Sequence, residues 1–147
     1  MLSFINESLS AWERLLQTTK PIVLYGMGNG ADKIVDWCEA NSVKIAGIFA
    51  SDEFVRGQEF RGYKVERYAD IIARFGEDIL VVIAFASERP EVLARFKELA
   101  EAHETVAPHL SLFEEPETVS LAWLEKYEAE LQKVYANLAD NVSRETF

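Results

Sequence analysis

The sequence has few of the residues that mark disulfide, zinc and membrane proteins. It contains one cysteine, Cys38, and two histidines in 147 residues. A single cysteine forms no intrachain disulfide, and with two distant histidines it cannot supply the ligand spacing of a zinc site. No apolar run approaches the roughly 20 residues of a transmembrane helix, and the N-terminus lacks the basic segment of a secretory signal. We therefore expect a cytoplasmic protein with no membrane partner and no metal.

Basic residues are also scarce. Asp and Glu number 25 against 15 Lys and Arg, which sets the formal net charge at −10. Because affinity for phosphate backbones comes from clustered Lys and Arg, this balance predicts that nucleic acid is not a partner. Residues 112–147 alone hold eight acidic and three basic side chains. The rest of the chain is thus less acidic and need not repel a nucleotide.

Strand and helix patterns alternate through the middle of the chain. Apolar, β-branched runs predict strands at residues 22–25, 43–49, 63–65, 79–85 and 105–107. Helical spacing predicts helices at 31–40, 66–75 and 87–100, with Ser87 as an N-cap and Gly76 as a C-terminal cap. This alternation predicts an α/β fold, a doubly wound parallel sheet of about five strands in the order 3-2-1-4-5.

A helix is predicted at each end of the sheet domain. The N-terminal stripe is made of apolar residues at helical spacing, namely Ile5, Leu9, Trp12 and Leu16. Apolar residues at 124, 127, 131, 134 and 138 predict one long amphipathic helix that begins near Pro116 or Thr118. That helix either packs on its own domain or forms a subunit interface, which makes a homodimer an option. We divide the chain into 1–19, 20–111 and 112–147.

The one recognisable motif follows the first predicted strand. Residues 26–31 form a G-x-G-x-x-A pattern that opens a helix. In such loops the first glycine permits a tight turn, the second leaves room for a pyrophosphate, and the last small residue lets helix pack on strand. Free N–H groups at the helix start can hold anionic oxygen. The candidate cofactor-binding residues here are Gly26, Met27, Gly28, Asn29, Gly30 and Ala31. The alternative is a relic loop that binds nothing, which the nearby carboxylate of Asp32 favours slightly.

Further candidates lie after the other strands, because ligands of doubly wound sheets bind at the carboxyl ends of the strands. The position that usually carries a ribose-binding carboxylate is Ala50, and the nearest acidic side chain is Asp52. The remaining candidates are Ser87 after the fourth strand, Arg56 and Arg61 as phosphate contacts, and His109 as a ligand contact. The ligands that such a set would hold are NAD(P) or a nucleotide-sugar.

Several segments together resemble a known domain type. Residues 22–30, 47–52 and 61–65 are similar to the N-terminal Rossmann-like domain found ahead of FkbM-type, S-adenosylmethionine-dependent methyltransferases. Residues 134–147 resemble the connection that leads into the methyltransferase domain. The resemblance implies a bacterial-type accessory domain that binds a nucleotide or nucleotide-sugar, is not catalytic alone, and precedes a methyltransferase domain that these 147 residues do not include.

Two alternatives to this accessory domain stay open. The domain type is also similar to the cofactor-binding domain of nucleotide-sugar epimerases and dehydratases. The sequence lacks the Tyr and Lys pair that such enzymes place after the fourth strand for carbonyl reduction, which speaks against that alternative. The other alternative is a dimerisation module whose glycine loop is empty.

Overall fold

A computed structural model describes residues 8–110 and 120–146. The chain divides into two units, one formed by Ala11–Leu110 and the other by Met1–Ser10 with Ser111–Phe147. Among the described residues, no helix combines the length and the apolar composition needed to cross a bilayer.

A six-stranded sheet lies at the centre of the larger unit. Its strands are β1 Ile22–Tyr25, β2 Ile45–Ala50, β3 Glu59–Phe60, β4 Tyr63–Arg67, β5 Leu80–Ile83 and β6 Glu104–Val106. They run in the order β3-β4-β2-β1-β5-β6, and every pair is parallel except β3 with β4. Without β3 this is the predicted 3-2-1-4-5 order. The doubly wound, Rossmann-like α/β fold is confirmed, with one short antiparallel strand added at an edge.

Helices cover both faces of the sheet because the strand residues alternate between two apolar clusters. Helices α1 Ala11–Gln17 and α2 Asn29–Ala40 pack on one face, with Leu24, Ile48 and Val82. Helices α3 Tyr68–Phe75 and α4 Pro90–Ala102 pack on the other, with Val23, Phe49 and Val81. The four residues of β1 are buried on both sides, as continuous apolar runs in central parallel strands usually are. Because β1 and β5 pair in parallel, their carboxyl ends lie side by side.

Helix α1 is shorter than the apolar stripe predicted. It begins at Ala11, and Ile5 lies outside the described residues. Trp12 stacks on Trp37 of α2 with ring centroids 4.5 Å apart, whereas Leu16 is 53% exposed. The Trp12 contact and the buried side chain of Leu15 together anchor the inner face of the helix.

An ion-pair cluster ties α1 to β6. Arg14 Nη2 lies 2.9 Å from Glu104 Oε1, and Lys20 Nζ lies 3.1 Å from Glu104 Oε2. Hydrogen bonds from Lys20 and Arg14 lower the pKa of the Glu104 carboxyl below its ordinary value. The carboxylate therefore stabilises the fold while it is ionised.

His103 ends α4 and connects it to α3. Its Nδ1 lies 2.7 Å from the carbonyl oxygen of Glu77, and its Nε2 lies 2.5 Å from the hydroxyl of Tyr68. Because a carbonyl only accepts, Nδ1 carries a hydrogen and donates it. The residue is buried, so both ring nitrogens have the partners that a buried imidazole needs.

Helix α4 begins later than predicted. Pro90 occupies its first turn and Arg89 its N-cap position, so Ser87 is not the cap. The hydroxyl of Ser87 instead accepts from the backbone N–H of Arg89 at 3.2 Å, in the loop before the helix. This leaves Ser87 beside the carboxyl ends of the strands.

The predicted single C-terminal helix is wrong for the described residues of that unit. They form three helices, α5 Leu121–Lys126, α6 Glu128–Asn137 and α7 Asn141–Thr146, and the proposed starts at Pro116 and Thr118 lie outside the described residues. Leu138 is extended, with φ −67° and ψ 130°. The Asp140 carboxylate accepts hydrogen bonds from Ser143 N–H at 2.8 Å and Ser143 O–H at 3.1 Å. The predicted stripe is thus interrupted at Tyr127, between α5 and α6, and Asp140 caps a further helix beyond the end of the stripe.

Candidate functional site

The chain turns sharply at the end of β1. Gly26 has a φ of +122°, and its N–H donates to the carbonyl oxygen of Phe49 at 2.9 Å. A Cβ atom at Gly26 would lie 2.8 Å from Cδ1 of Phe85. Both the backbone angle and the crowding by an aromatic ring require glycine at this turn.

The other two glycines of the loop differ from each other. Gly28 is the N-cap residue of α2, has extended backbone angles, and would place a Cβ with no atom within 4 Å. A Cβ at Gly30 would overlap the carbonyl oxygen of Ala84 and lie 3.0 Å from Cδ1 of Leu110. Helix α2 therefore comes closest to the end of β5 at Gly30. The motif assigns this close approach to the next residue, Ala31. Ala31 itself is fully buried.

A cleft of about 280 Å³ opens beside this turn, where the strand order reverses. We call it the first lobe. Gly26, Met27 and Ser87 line it, together with residues that follow β2 and residues at the start of α4. Phe54 and Phe85, which are 52% and 36% exposed, also line it. This is the position at which doubly wound sheets bind ligands.

A second lobe of about 410 Å³ adjoins the first. The two share six lining residues, namely Tyr25, Ala50, Ser51, Glu53, Glu91 and Val92. The second lobe adds Asp52, Tyr68 and Arg95. The combined space reaches from the glycine turn to the starts of α3 and α4, and each volume is near the range of about 300–1,000 Å³ that is typical of small-molecule sites.

Tyr25 forms the aromatic floor common to both lobes. Its ring stacks parallel to that of Phe49 at 4.8 Å and meets the edges of Phe85 and Phe96 at 5.1 and 6.0 Å. Its hydroxyl lies 2.8 Å from Oγ of Ser51. Sequence reasoning missed both residues, although their places directly before the glycine turn and directly after the Ala50 position could have indicated them.

The cleft carries more negative than positive charge. Arg89 is ion-paired with Glu91, and the Arg95 guanidinium lies over the ring of Tyr68 while it pairs with a glutamate of its own helix. A backbone hydrogen bond and Arg89 lower the pKa of Glu91. In the described part of the chain, Asp52 and Glu53 have no ion-pair partner. Hydrogen-bond donors of a ligand therefore meet free carboxylates here.

The basic candidates lie elsewhere. Arg61 extends along α2, where its guanidinium contacts Asp36 at 2.8 Å and Asp32 and Glu39 at 3.4 Å each. The hydrogen bond to Asp36 raises the pKa of Arg61. Arg56 and His109 are exposed, and neither lobe is lined by them or by Arg61. The structure therefore brings Gly26, Met27, Asp52 and Ser87 to the cleft, while the phosphate roles of Arg56 and Arg61 and the ligand role of His109 stay predictions.

Gln58 connects the glycine loop to the segment that follows β2, and sequence reasoning gave no sign of it. Its Nε2 donates to the carbonyl oxygen of Phe54 at 2.7 Å and lies 3.4 Å from the Met27 sulfur. Its Oε1 accepts the backbone N–H of Arg56 at 2.6 Å. One amide side chain thus connects two walls of the first lobe.

In the ranges 8–110 and 120–146, no group of three or more His, Cys, Asp or Glu is placed to hold a metal ion.

No family model matches the chain, and no curated protein sequence matches it. Solved structures with a similar fold include the crystal structure of RSP, a Rex-family repressor, with a TM-score of 0.45, 20% identity, and coverage of 84% of this chain and 65% of that chain. RSP in complex with beta-NADH gives a TM-score of 0.43 at 20% identity and 82% and 65% coverage. RSP in complex with beta-NAD+ and operator DNA gives a TM-score of 0.43 at 20% identity, with coverage of 82% of this chain and 63% of that chain. The chain thus spans slightly less than two thirds of the length of the structures it matches.

The prediction that nucleic acid is not a partner is corrected by the last of these structures. It shows a protein of similar fold together with operator DNA. The prediction rested on the net charge of the whole chain, which says nothing about charge on a particular surface or on a neighbouring domain. The exclusion of nucleic acid is therefore withdrawn.

Proposed function

We propose that this chain is a Rossmann-like domain that binds a nucleotide, either NAD(P) or a nucleotide-sugar, and that it performs no chemistry alone. The observation that carries the proposal is the two-lobed cleft at the switch point of the sheet, directly beside a glycine turn that opens a helix of 12 residues. That helix start offers free N–H groups for phosphate oxygens.

The residues present fit such a ligand in two respects. The open space at Gly28 leaves room for a pyrophosphate against the backbone, since a Cβ there would meet no atom within 4 Å. The aromatic floor and the exposed rings of Phe54 and Phe85 offer stacking surfaces for a planar base. Gly28, Asn29 and the α2 N-terminus would hold the phosphates, while the residues after β2 would hold the nucleoside.

The lining of the two lobes lacks the Tyr and Lys pair of a carbonyl-reducing site, which favours a binding role. The tyrosines that line the cleft are Tyr25 and Tyr68, and neither described lobe is lined by a lysine. Carbonyl reduction on a sugar nucleotide needs a positioned acid such as the Tyr and Lys pair. The epimerase or dehydratase alternative is therefore less well supported than the accessory domain.

Calorimetric titration with NADH, NADPH and UDP-glucose tests the proposal. We expect one of them to bind, and Gly28→Val to weaken it at least about tenfold without unfolding the chain, because the side chain enters only the space next to the loop. Ala40→Val, at the other end of α2, is the matched control and should bind as the wild type does. No binding by any of the three nucleotides, or unchanged binding by Gly28→Val, would contradict the proposal.

We further propose that the domain precedes an FkbM-type methyltransferase domain in its parent protein. What supports this is the resemblance of residues 22–30, 47–52 and 61–65, and of the segment 134–147, to such proteins. Reading the gene beyond residue 147 tests it. A following strand that ends in an acidic, glycine-rich loop is expected, and its absence would contradict the proposal.

A further inference from the structure

The residue that usually contacts the ribose of a bound dinucleotide is absent from its position. In dinucleotide-binding sheets a carboxylate at the end of the second strand accepts hydrogen bonds from ribose hydroxyls. Here that position is Ala50, which is 5% exposed and has no polar side chain. The next residue, Ser51, is partly exposed and lines both lobes. A serine hydroxyl is therefore the first side-chain polar group after this strand.

Ser51 is held in place by Tyr25. The two hydroxyl oxygens lie 2.8 Å apart, and neither has another hydrogen-bond partner among the described residues. The ring of Tyr25 is fixed by its parallel stack with Phe49 and its edge contact with Phe85, and the residue is only 3% exposed. The phenol ring cannot rotate without breaking this packing. The position of the Tyr25 hydroxyl, to which Ser51 hydrogen-bonds, is therefore fixed.

The hydrogen-bonding capacity of this pair indicates what it can bind. Two hydroxyls supply two hydrogens, and their mutual hydrogen bond uses one. One O–H group and several lone pairs remain for a ligand. A phosphate or carboxylate oxygen could only accept from the pair, whereas a sugar hydroxyl can both donate and accept. The pair thus matches a hydroxyl group better than an anion.

We propose that the hydroxyl pair of Tyr25 and Ser51 recognises a ribose hydroxyl of the bound nucleotide, in place of the usual carboxylate. Ser51 contacts the ligand and Tyr25 is a positioning residue. The inference rests on the proposed function, because it concerns the same cleft. It narrows the ligand to nucleotides that carry ribose instead of deoxyribose.

Calorimetric titration with ADP and UDP, each compared with its 2′-deoxy and 3′-deoxy forms, tests the inference. For the wild type we expect at least one deoxy form to bind about 3- to 10-fold more weakly than the ribose form, as the loss of one hydrogen bond implies. Ser51→Ala should reduce this ratio to within about twofold. Tyr25→Phe keeps the stacked ring and should reduce the ratio as well, although Ser51 is intact.

The ratio separates recognition from a structural effect. A merely structural role of Tyr25 would weaken ribose and deoxyribose ligands equally and leave the ratio unchanged. Tyr63→Phe, which removes a hydroxyl from β4 outside both lobes, is the matched control and should keep the wild-type ratio. Equal binding of ribose and deoxy forms by the wild type, or an unchanged ratio in Ser51→Ala, overturns the inference and leaves nucleotide binding standing. If neither ADP nor UDP binds, the inference is overturned, and the proposed function is decided separately by the titrations with NADH, NADPH and UDP-glucose.

Discussion

Gly30→Ala is expected to damage the fold far more than the same substitution at Gly28, although both glycines belong to one motif. The added methyl group at Gly30 would overlap the carbonyl oxygen of Ala84 and lie 3.0 Å from Cδ1 of Leu110. The first of these atoms is backbone at the end of β5, so it cannot move without disturbing the sheet. The helix must therefore move away from the strand.

The expected magnitude follows from packing. Inserting a methyl group into a filled core costs typically 1–3 kcal/mol. Because a backbone atom is in the way, we expect about 3 kcal/mol, at the upper end of that range. For a unit the size of Ala11–Leu110, about 100 residues, each kcal/mol lowers Tm by roughly 4–8 °C, so Gly30→Ala should lower the Tm of this unit by roughly 12–24 °C.

Thermal and urea unfolding followed by circular dichroism provide the assay, with Gly28→Ala as the control. At Gly28 the methyl group meets open space, and the backbone has an extended conformation that alanine also adopts. The lost flexibility of the unfolded chain and the weaker N-cap offset each other, so the free energy of unfolding should change by less than about 1 kcal/mol. A Tm of Gly30→Ala within about 3 °C of that of Gly28→Ala would refute the packing argument.

Three further outcomes are expected. Because ion pairs lower the pKa of Glu104 in the folded state, its contribution is complete above its ordinary pKa of 4.5 and is lost as the pH falls through the lower folded value. The Tm difference between wild type and Glu104→Gln should then be largest near neutral pH and should become small in acid. A difference that does not change with pH would contradict this. Burial raises the pKa of the Cys38 thiol to about 11, so Ellman's reagent should react with it only after unfolding, and rapid labelling of the native chain would show the thiol to be accessible. Tyr68→Phe leaves a buried nitrogen of His103 without its partner and should cost about 1–2 kcal/mol in urea unfolding, whereas an unchanged midpoint would show that water replaces the hydroxyl.

The sheet could be predicted from the sequence because its central strands are continuous apolar runs bounded by turn residues. β3 could not, since a strand of two residues has no period to detect. The C-terminal stripe misled for the opposite reason. Apolar residues continue at helical spacing across Tyr127, where α5 ends and α6 begins, and no glycine or proline marks that break. Beyond the stripe the carboxylate of Asp140 competes for backbone N–H groups and starts a further helix, for which the aspartate three residues before a serine was the available signal.

In the candidate site, too, local features could be predicted from the sequence, whereas contacts between distant residues could not. The glycine turn is a local property of the chain, so its residues could be found from spacing alone. The contact between Tyr25 and Ser51 depends on the pairing of β1 with β2, which brings residues 26 positions apart in the chain together. The position of Arg61 likewise depends on a hairpin whose backbone reaches a φ of +51°, from which the side chain extends over α2. Contacts of this kind follow from tertiary structure and leave no periodic pattern in the sequence.

The short hairpin of β3 and β4 has a consequence for how the protein behaves at high concentration. A parallel sheet that ended at β4 would offer a row of unpaired N–H and C=O groups to the strands of other molecules. β3 covers the start of that row through the pairs Glu59 with Lys64 and Phe60 with Tyr63. β3 is itself only two residues long, with the exposed charge of Glu59, and so is a poor template for another strand. The start of this sheet edge is therefore protected against edge-to-edge aggregation.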